Sequence, residues 1–255
     1  MAFFKIKSVW DYCTYDKHFL LLILIFFSIL MYIQLSYEDS NSTTAILILL
    51  GLEVPLFGYG MLITRDKLNG GIKLPEMKIK EGLIFGLKST IIFTVFLYVQ
   101  GLILDFVCSP LNFPEFDLED MLVDFPETIH TLYSHNPVDT FVFIVLGVIL
   151  FYVTTFFLEI ALARLADTGS IKDAFNLMGI KRDIDAIGWW YYVKEYTGIV
   201  LTIVIFAYLV YIVIPIDFIN YIWNVFCYML MFATQFYGIG EVYCTIKEKE
   251  KIDSS

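Results

Sequence analysis

The sequence predicts an all-α, polytopic helical bundle embedded in a membrane, and three observations carry that expectation. Of 255 residues, 58% are hydrophobic and only 17% charged, where soluble domains carry about a quarter charged. The apolar residues gather into six stretches close to the length of about 20 that a helix needs to cross roughly 30 Å of hydrocarbon. All 17 Lys and Arg residues lie at alternate ends of those stretches.

In chain order the expected spans are 19–37, 45–64, 82–104, 140–162, 196–214 and 218–246, forming a single membrane domain over 1–255. Their hydrophobicity is continuous rather than alternating. Lipid cannot satisfy backbone groups, so such segments should be helices and not barrel strands. The first stretch follows Lys5 and Lys7 but ends in 32–37 without the small residues of a signal-peptidase site, so it is expected to stay as a helix. The last stretch exceeds a perpendicular crossing, so it should tilt or run past the surface.

Three basic residues precede the first span, five lie between the second and third, and Lys88 sits just inside the third. Five more lie in 163–195 and three follow the last span. The positive-inside rule therefore places both termini and the loops 65–81 and 163–195 in the cytoplasm. The opposite side, dominated by the loop 105–139, carries eleven acids and no base, so the net charge of −10 belongs to one face. A net basic inner face suits an anionic leaflet. Trp10, Trp189, Trp190, Tyr191 and Tyr192 fall where inner headgroup anchors sit, and Trp223 where an outer one would.

Arg65-x4-Gly70-x-Ile72-Lys73 matches Arg164-x4-Gly169-x-Ile171-Lys172 at an offset of 99, and Gly82-x5-Lys88 matches Gly188-x5-Lys194 at 106. Two readings fit: a parallel repeat about the membrane normal, or the basic residues and glycines common to any inner loop. In both copies Arg can snorkel to phosphates and Gly can cap the helix. Ser170 with Asp173 resembles a capping box, and Ile171, Ala174, Phe175 and Met178 share one helical face, which predicts an amphipathic surface helix. Leu118, Met121, Leu122 and Phe125 predict a second one in the outer loop.

The segment 58–65, the run Gly70-Gly-Ile-Lys-Leu-Pro75 and the opening 81–88, with Ala161-Leu-Ala-Arg164, Asp167-Thr-Gly169 and Ala174-Phe175, are similar to the uncharacterised archaeal membrane family of unknown function 4013. That resemblance extends over about 20–245, although the outer loop is longer than the family pattern. It implies a multi-pass protein of an archaeal cell membrane and supplies no activity.

Ionisable groups in hydrocarbon cost on the order of 2.5–3.5 kcal/mol, so acids at membrane level are candidate site residues. Glu53, two residues before the helix-loosening Pro55, is the foremost candidate for binding an ion or substrate. Glu159 and Glu241 lie nearer the inner surface, and Arg164 is the expected partner of Glu159. The bland alternative is that these acids hold helices together, with Gly51, Gly58 and Gly60 providing close approach. His130 and His135, five apart in the acidic loop, lack a third ligand at diagnostic spacing, so no metal site is expected. Asn41-Ser-Thr43 is a formal glycosylation acceptor close to two span ends. Cys108 alone lies outside, so no outer disulfide is expected.

No phosphate-cradling loop, nucleophile elbow, zinc-protease helix or dinucleotide fingerprint is present. No cofactor or catalytic residue is assigned, and the expected partners are membrane lipids and other membrane subunits, not nucleic acid. Three function classes follow: a structural or accessory protein, a small ion or solute carrier with its site near Glu53, and a lipid-acting membrane enzyme. Convergence of Glu53, Gln100 and Gln235 on one cavity would favour the carrier.

Overall fold

A computed structural model describes residues 6–37, 43–109, 125–210, 212 and 214–253. The described residues are helical with short connections and contain no strand. The helices are α1 (Ile6–Thr14), α2 (Lys17–Tyr37), α3 (Thr43–Leu68), α4 (Ile79–Cys108), α5 (Phe125–His135), α6 (Pro137–Thr168), α7 (Ile171–Ala174), α8 (Leu177–Ile187), α9 (Trp189–Val210) and α10 (Asp217–Asp253). Four of them, α4, α6, α9 and α10, are long and apolar enough to cross a membrane. Several run past the expected spans at the polar ends, because a helix continues until a cap or turn stops it. The helix α9 begins seven residues before its expected span, and its described part runs to Val210.

The chain divides into two compact units. The first comprises Met1–Ile92 and Glu159–Ser255. At its centre stands α10, against which α1, α2, α3, α8 and α9 pack. This is the least apolar of the four long helices, yet 67% of its most apolar stretch is buried, against 17% for α6. Burial against neighbouring helices accommodates Thr234 and Gly240 on α10.

Small residues set the spacing within this unit. Gly60 of α3 lies under the Phe236 ring, and Gly240 of α10 lies against Thr64 and Lys67. The Thr64 hydroxyl donates to the Phe236 carbonyl at 2.9 Å. Between α3 and α4, Gly58 faces the Gly82 carbonyl and Gly86 faces the Val54 carbonyl, so closely that a methyl group at either would overlap backbone. This is the small-residue approach of membrane helices. Gly51, grouped with Gly58 and Gly60 in the sequence reading, has open space beside it. Pro55 removes one backbone donor without interrupting α3.

The α9–α10 turn is closed by side chains. Trp223 Nε1 donates to the Leu209 carbonyl at 2.9 Å, and the Asn220 side-chain oxygen accepts from the Ile214 amide at 3.0 Å. Trp223, expected as a headgroup anchor, thus caps a helix end. Tyr192 is buried rather than interfacial, while Trp189 and Trp190 remain exposed. Trp10 packs edge-on against Phe226, with ring centroids 5.9 Å apart.

The second unit is Phe93–Leu158. The helix α5 ends at His135, and Asn136 then caps α6. Its side chain accepts from the Asp139 amide at 3.3 Å and donates to the Asp139 carboxylate at 2.7 Å, with Pro137 in the first helical position. Of the outer amphipathic segment expected at 118–125, only Phe125 is described, as the first residue of α5; residues 110–124 and Asn41 lie outside the described residues.

Candidate functional site

The most connected polar site in the first unit begins where α6 stops. Gly169, with φ +70°, turns the chain in the left-handed region that glycine favours. The short α7 follows, and α8 starts afresh because the Asn176 side chain accepts from the Gly179 amide at 3.0 Å. That cap lays Gly179 against the Arg164 guanidinium, where a methyl group would come within 2.6 Å of Nη2. Asp183, four residues on and on the same face, then meets Arg164.

Arg164 Nη1 lies 2.5 Å from Asp183 Oδ2, and its Nε donates to the Asp173 carbonyl at 2.8 Å. The Tyr243 hydroxyl of α10 donates to the same Asp183 oxygen at 3.4 Å. Arg164 is 8% and Asp183 1% exposed, so this is a buried, charge-assisted pair. It joins α6, α8 and α10.

Other bases at this end of the unit are also engaged. Arg65 pairs with Glu81, and Lys247 with Asp167. Lys88 donates to the Gly169 carbonyl at 2.6 Å, linking α4 to the turn after α6. Lys67 donates to the Tyr237 hydroxyl at 2.9 Å and lies 4.4 Å from that ring's centroid. Burial opposes the charge on Lys67, but the Tyr237 contact and Glu241 outweigh it and hold its pKa above that of an ordinary lysine. On α8, the Lys181 and Trp189 side chains hold Asp185 below the usual carboxylate range.

One expected pairing is corrected. Arg164 does not partner Glu159; five residues on a helix of 100° per residue place the two about 140° apart, and Arg164 turns to Asp183 instead. Glu159 is buried, and among the described residues no ion pair reaches it. Glu53 is exposed on the flank of α3. Glu53 and Gln235 belong to the first unit and Gln100 to the second. His130 and His135 are both exposed on α5, and no metal-holding cluster occurs among the described residues.

The surface helix expected from Ile171 to Met178 is broken in two at Phe175–Asn176. Ser170 occupies its N-cap without a side-chain hydrogen bond. Met178 and Leu177 are exposed, while Ile180, Asp183, Ile184 and Ile187 form the buried face of α8. Helical periodicity holds within each piece, but the Asn176 cap resets its phase.

The basic loops 65–81 and 163–195 share one solution. Gly70 and Gly169 both have positive φ, and Arg65 and Arg164 each pair with an acid of a following helix. A sequence comparison with known families matches residues 42–216 to proteins of unknown function, DUF4013. The chain belongs to the DUF4013 family. No curated protein and no solved structure matches it.

Within the DUF4013 segment lie Arg65, Glu81, Arg164, Gly169 and Asp183. Tyr243 and the bases after it come from α10, beyond that segment. The second matched pair does not behave as a repeat: Gly82 is helical and packed, whereas Gly188 has φ +89° and ends α8. Lys194 lies over the Trp190 ring at 5.1 Å, a different role from that of Lys88.

Sequence reasoning missed Asp183 and the Lys67–Tyr237 contact. Asp183 sits in Lys181-Arg182-Asp183-Ile184-Asp185 and looks like any solvated charge. Its one signal is register: Ile180, Asp183, Ile184 and Ile187 share a helical face.

Proposed function

We propose that this DUF4013 protein is a structural or accessory component of an archaeal cell membrane, crossing six times with both termini and the basic loops in the cytoplasm. The observation that carries this reading is how its charged side chains are used. The buried pair Arg164–Asp183 and the half-buried Lys67 and Lys247 hold helices to one another, while Glu53, the foremost carrier residue, is exposed on the flank of α3. The apolar faces of α4, α6 and α9, each less than a quarter buried along its most apolar stretch, leave large surfaces for lipid or another membrane subunit.

The competing carrier reading makes a different demand. Purified protein in proteoliposomes is screened for proton and solute flux beside Glu53→Gln. The accessory reading predicts background flux for both, with unchanged folding of the variant. Flux that wild type supports and Glu53→Gln abolishes would overturn it.

A further inference from the structure

Two adjoining concavities of the first unit, one charged and one apolar, meet at the start of α4. The charged one, about 440 Å³, is lined by Arg65, Asp66, Asn69, Lys73, Lys78 and Glu81. The apolar one, about 330 Å³, is lined by Phe26, Pro55, Tyr59, Leu62, Met77 and Leu83 among others. Leu62 and Lys78 belong to both. Each lies within the range of roughly 300–1,000 Å³ typical of ligand sites. We propose that this pair of concavities binds one phospholipid with a polyol headgroup, its phosphate at Lys73 and Lys78 and a hydrocarbon chain along the Phe26–Leu83 groove.

The charges sort by what is already committed. Arg65 and Glu81 neutralise each other. Lys78 approaches Glu81 only at 4.0 Å and its side chain is 69% exposed. Lys73 is exposed and makes no ion pair among the described residues. Two cations are thus available to a phosphate. Asp66, which accepts from the Tyr12 hydroxyl at 2.9 Å, keeps further acceptor capacity. With Glu76 at the same rim, it suits hydroxyl donors of a headgroup rather than a second anion.

The groove continues the pocket toward the apolar flank of α4. The Tyr59 hydroxyl donates to the Pro75 carbonyl at 3.3 Å, pinning the connection between α3 and α4 beside it. Ile72 on that connection and Ile79 at the first position of α4 are 63% and 75% exposed, close in sequence to Lys73 and Lys78. Exposed isoleucines flanked by lysines next to a long apolar helix suit the headgroup boundary of a bilayer. A soluble polar metabolite would leave the groove unfilled, and a hydrocarbon chain alone would leave the lysines unpaired.

The test is lipid titration of the purified full chain in detergent, read by native mass spectrometry. Phosphatidylglycerol should bind at one site in preference to phosphatidylcholine, which lacks headgroup hydroxyls. Lys73→Gln/Lys78→Gln should weaken phosphatidylglycerol binding by about 30-fold, at the usual contribution of basic residues near anionic lipid. Leu83→Trp, an exposed position that fills the groove, should weaken it independently, with both variants keeping the wild-type melting transition. Equal binding of the two lipids, or binding unchanged in either variant, would overturn the proposal. So would displacement of the lipid by glycerol 1-phosphate as effectively as by phosphatidylglycerol, since that would make the site one for a soluble phosphate.

Discussion

Arg164 and Asp183 are held apart from solvent, and truncating either leaves the other buried without its closest charged partner, since Arg182 approaches Asp183 only at 3.9 Å. Truncating one member of such a pair costs about 3–5 kcal/mol, so Arg164→Ala and Asp183→Leu should each lower the unfolding transition in micelles sharply. The double variant Arg164→Met/Asp183→Leu should recover much of that loss, because no charge is left unpaired. Tyr243→Phe removes one long hydrogen bond and should cost about 1 kcal/mol or less. Burial pushes the Cys13 thiol up to about 12. Cys13 should therefore stay protonated and resist maleimide at pH 8 until the protein is denatured. Arg164 is visible in the sequence as a base at a span end. Its partner is not, because pairing of residues 19 apart depends on where Gly169 and Asn176 redirect the chain.

At the scale of the element, the helices follow from the apolar runs, but their packing depends on which glycines face a neighbour. Gly58, Gly60 and Gly51 look alike in sequence and differ in surroundings. Gly58→Ala and Gly86→Ala should each separate α3 from α4 and cost about 1–3 kcal/mol through overpacking. Gly51→Ala, with open space beside it, should leave stability unchanged or raise it by up to about 1 kcal/mol through helix propensity. Thermal unfolding of the three variants side by side checks this contrast; equal effects would contradict the packing assigned to α3. The junction after α6 shows the other limit of legibility. The sequence predicts a helix after Gly169, and one is there, but a continuous periodic face cannot reveal that Asn176 will cap a new helix and reset the phase.

For the whole molecule, the distribution of charge and of apolar length carries the argument. Helices with exposed apolar flanks such as α4 and α6 declare themselves by composition, and the central α10 is legible by length despite its polar residues. What composition cannot supply is the pairing of polar groups inside the first unit, since Lys67 with Tyr237 and Lys247 with Asp167 join positions 80 or more residues apart. The central claim is that the chain crosses a membrane with every basic loop on one side. It is tested most directly by single-cysteine labelling in right-side-out vesicles, in a background where Cys13, Cys108, Cys227 and Cys244 are replaced. Impermeant maleimide should label Asp120→Cys in intact vesicles, and Lys73→Cys and Lys172→Cys only after permeabilisation. Labelling of Lys73→Cys or Lys172→Cys in intact vesicles, alongside Asp120→Cys, would contradict it.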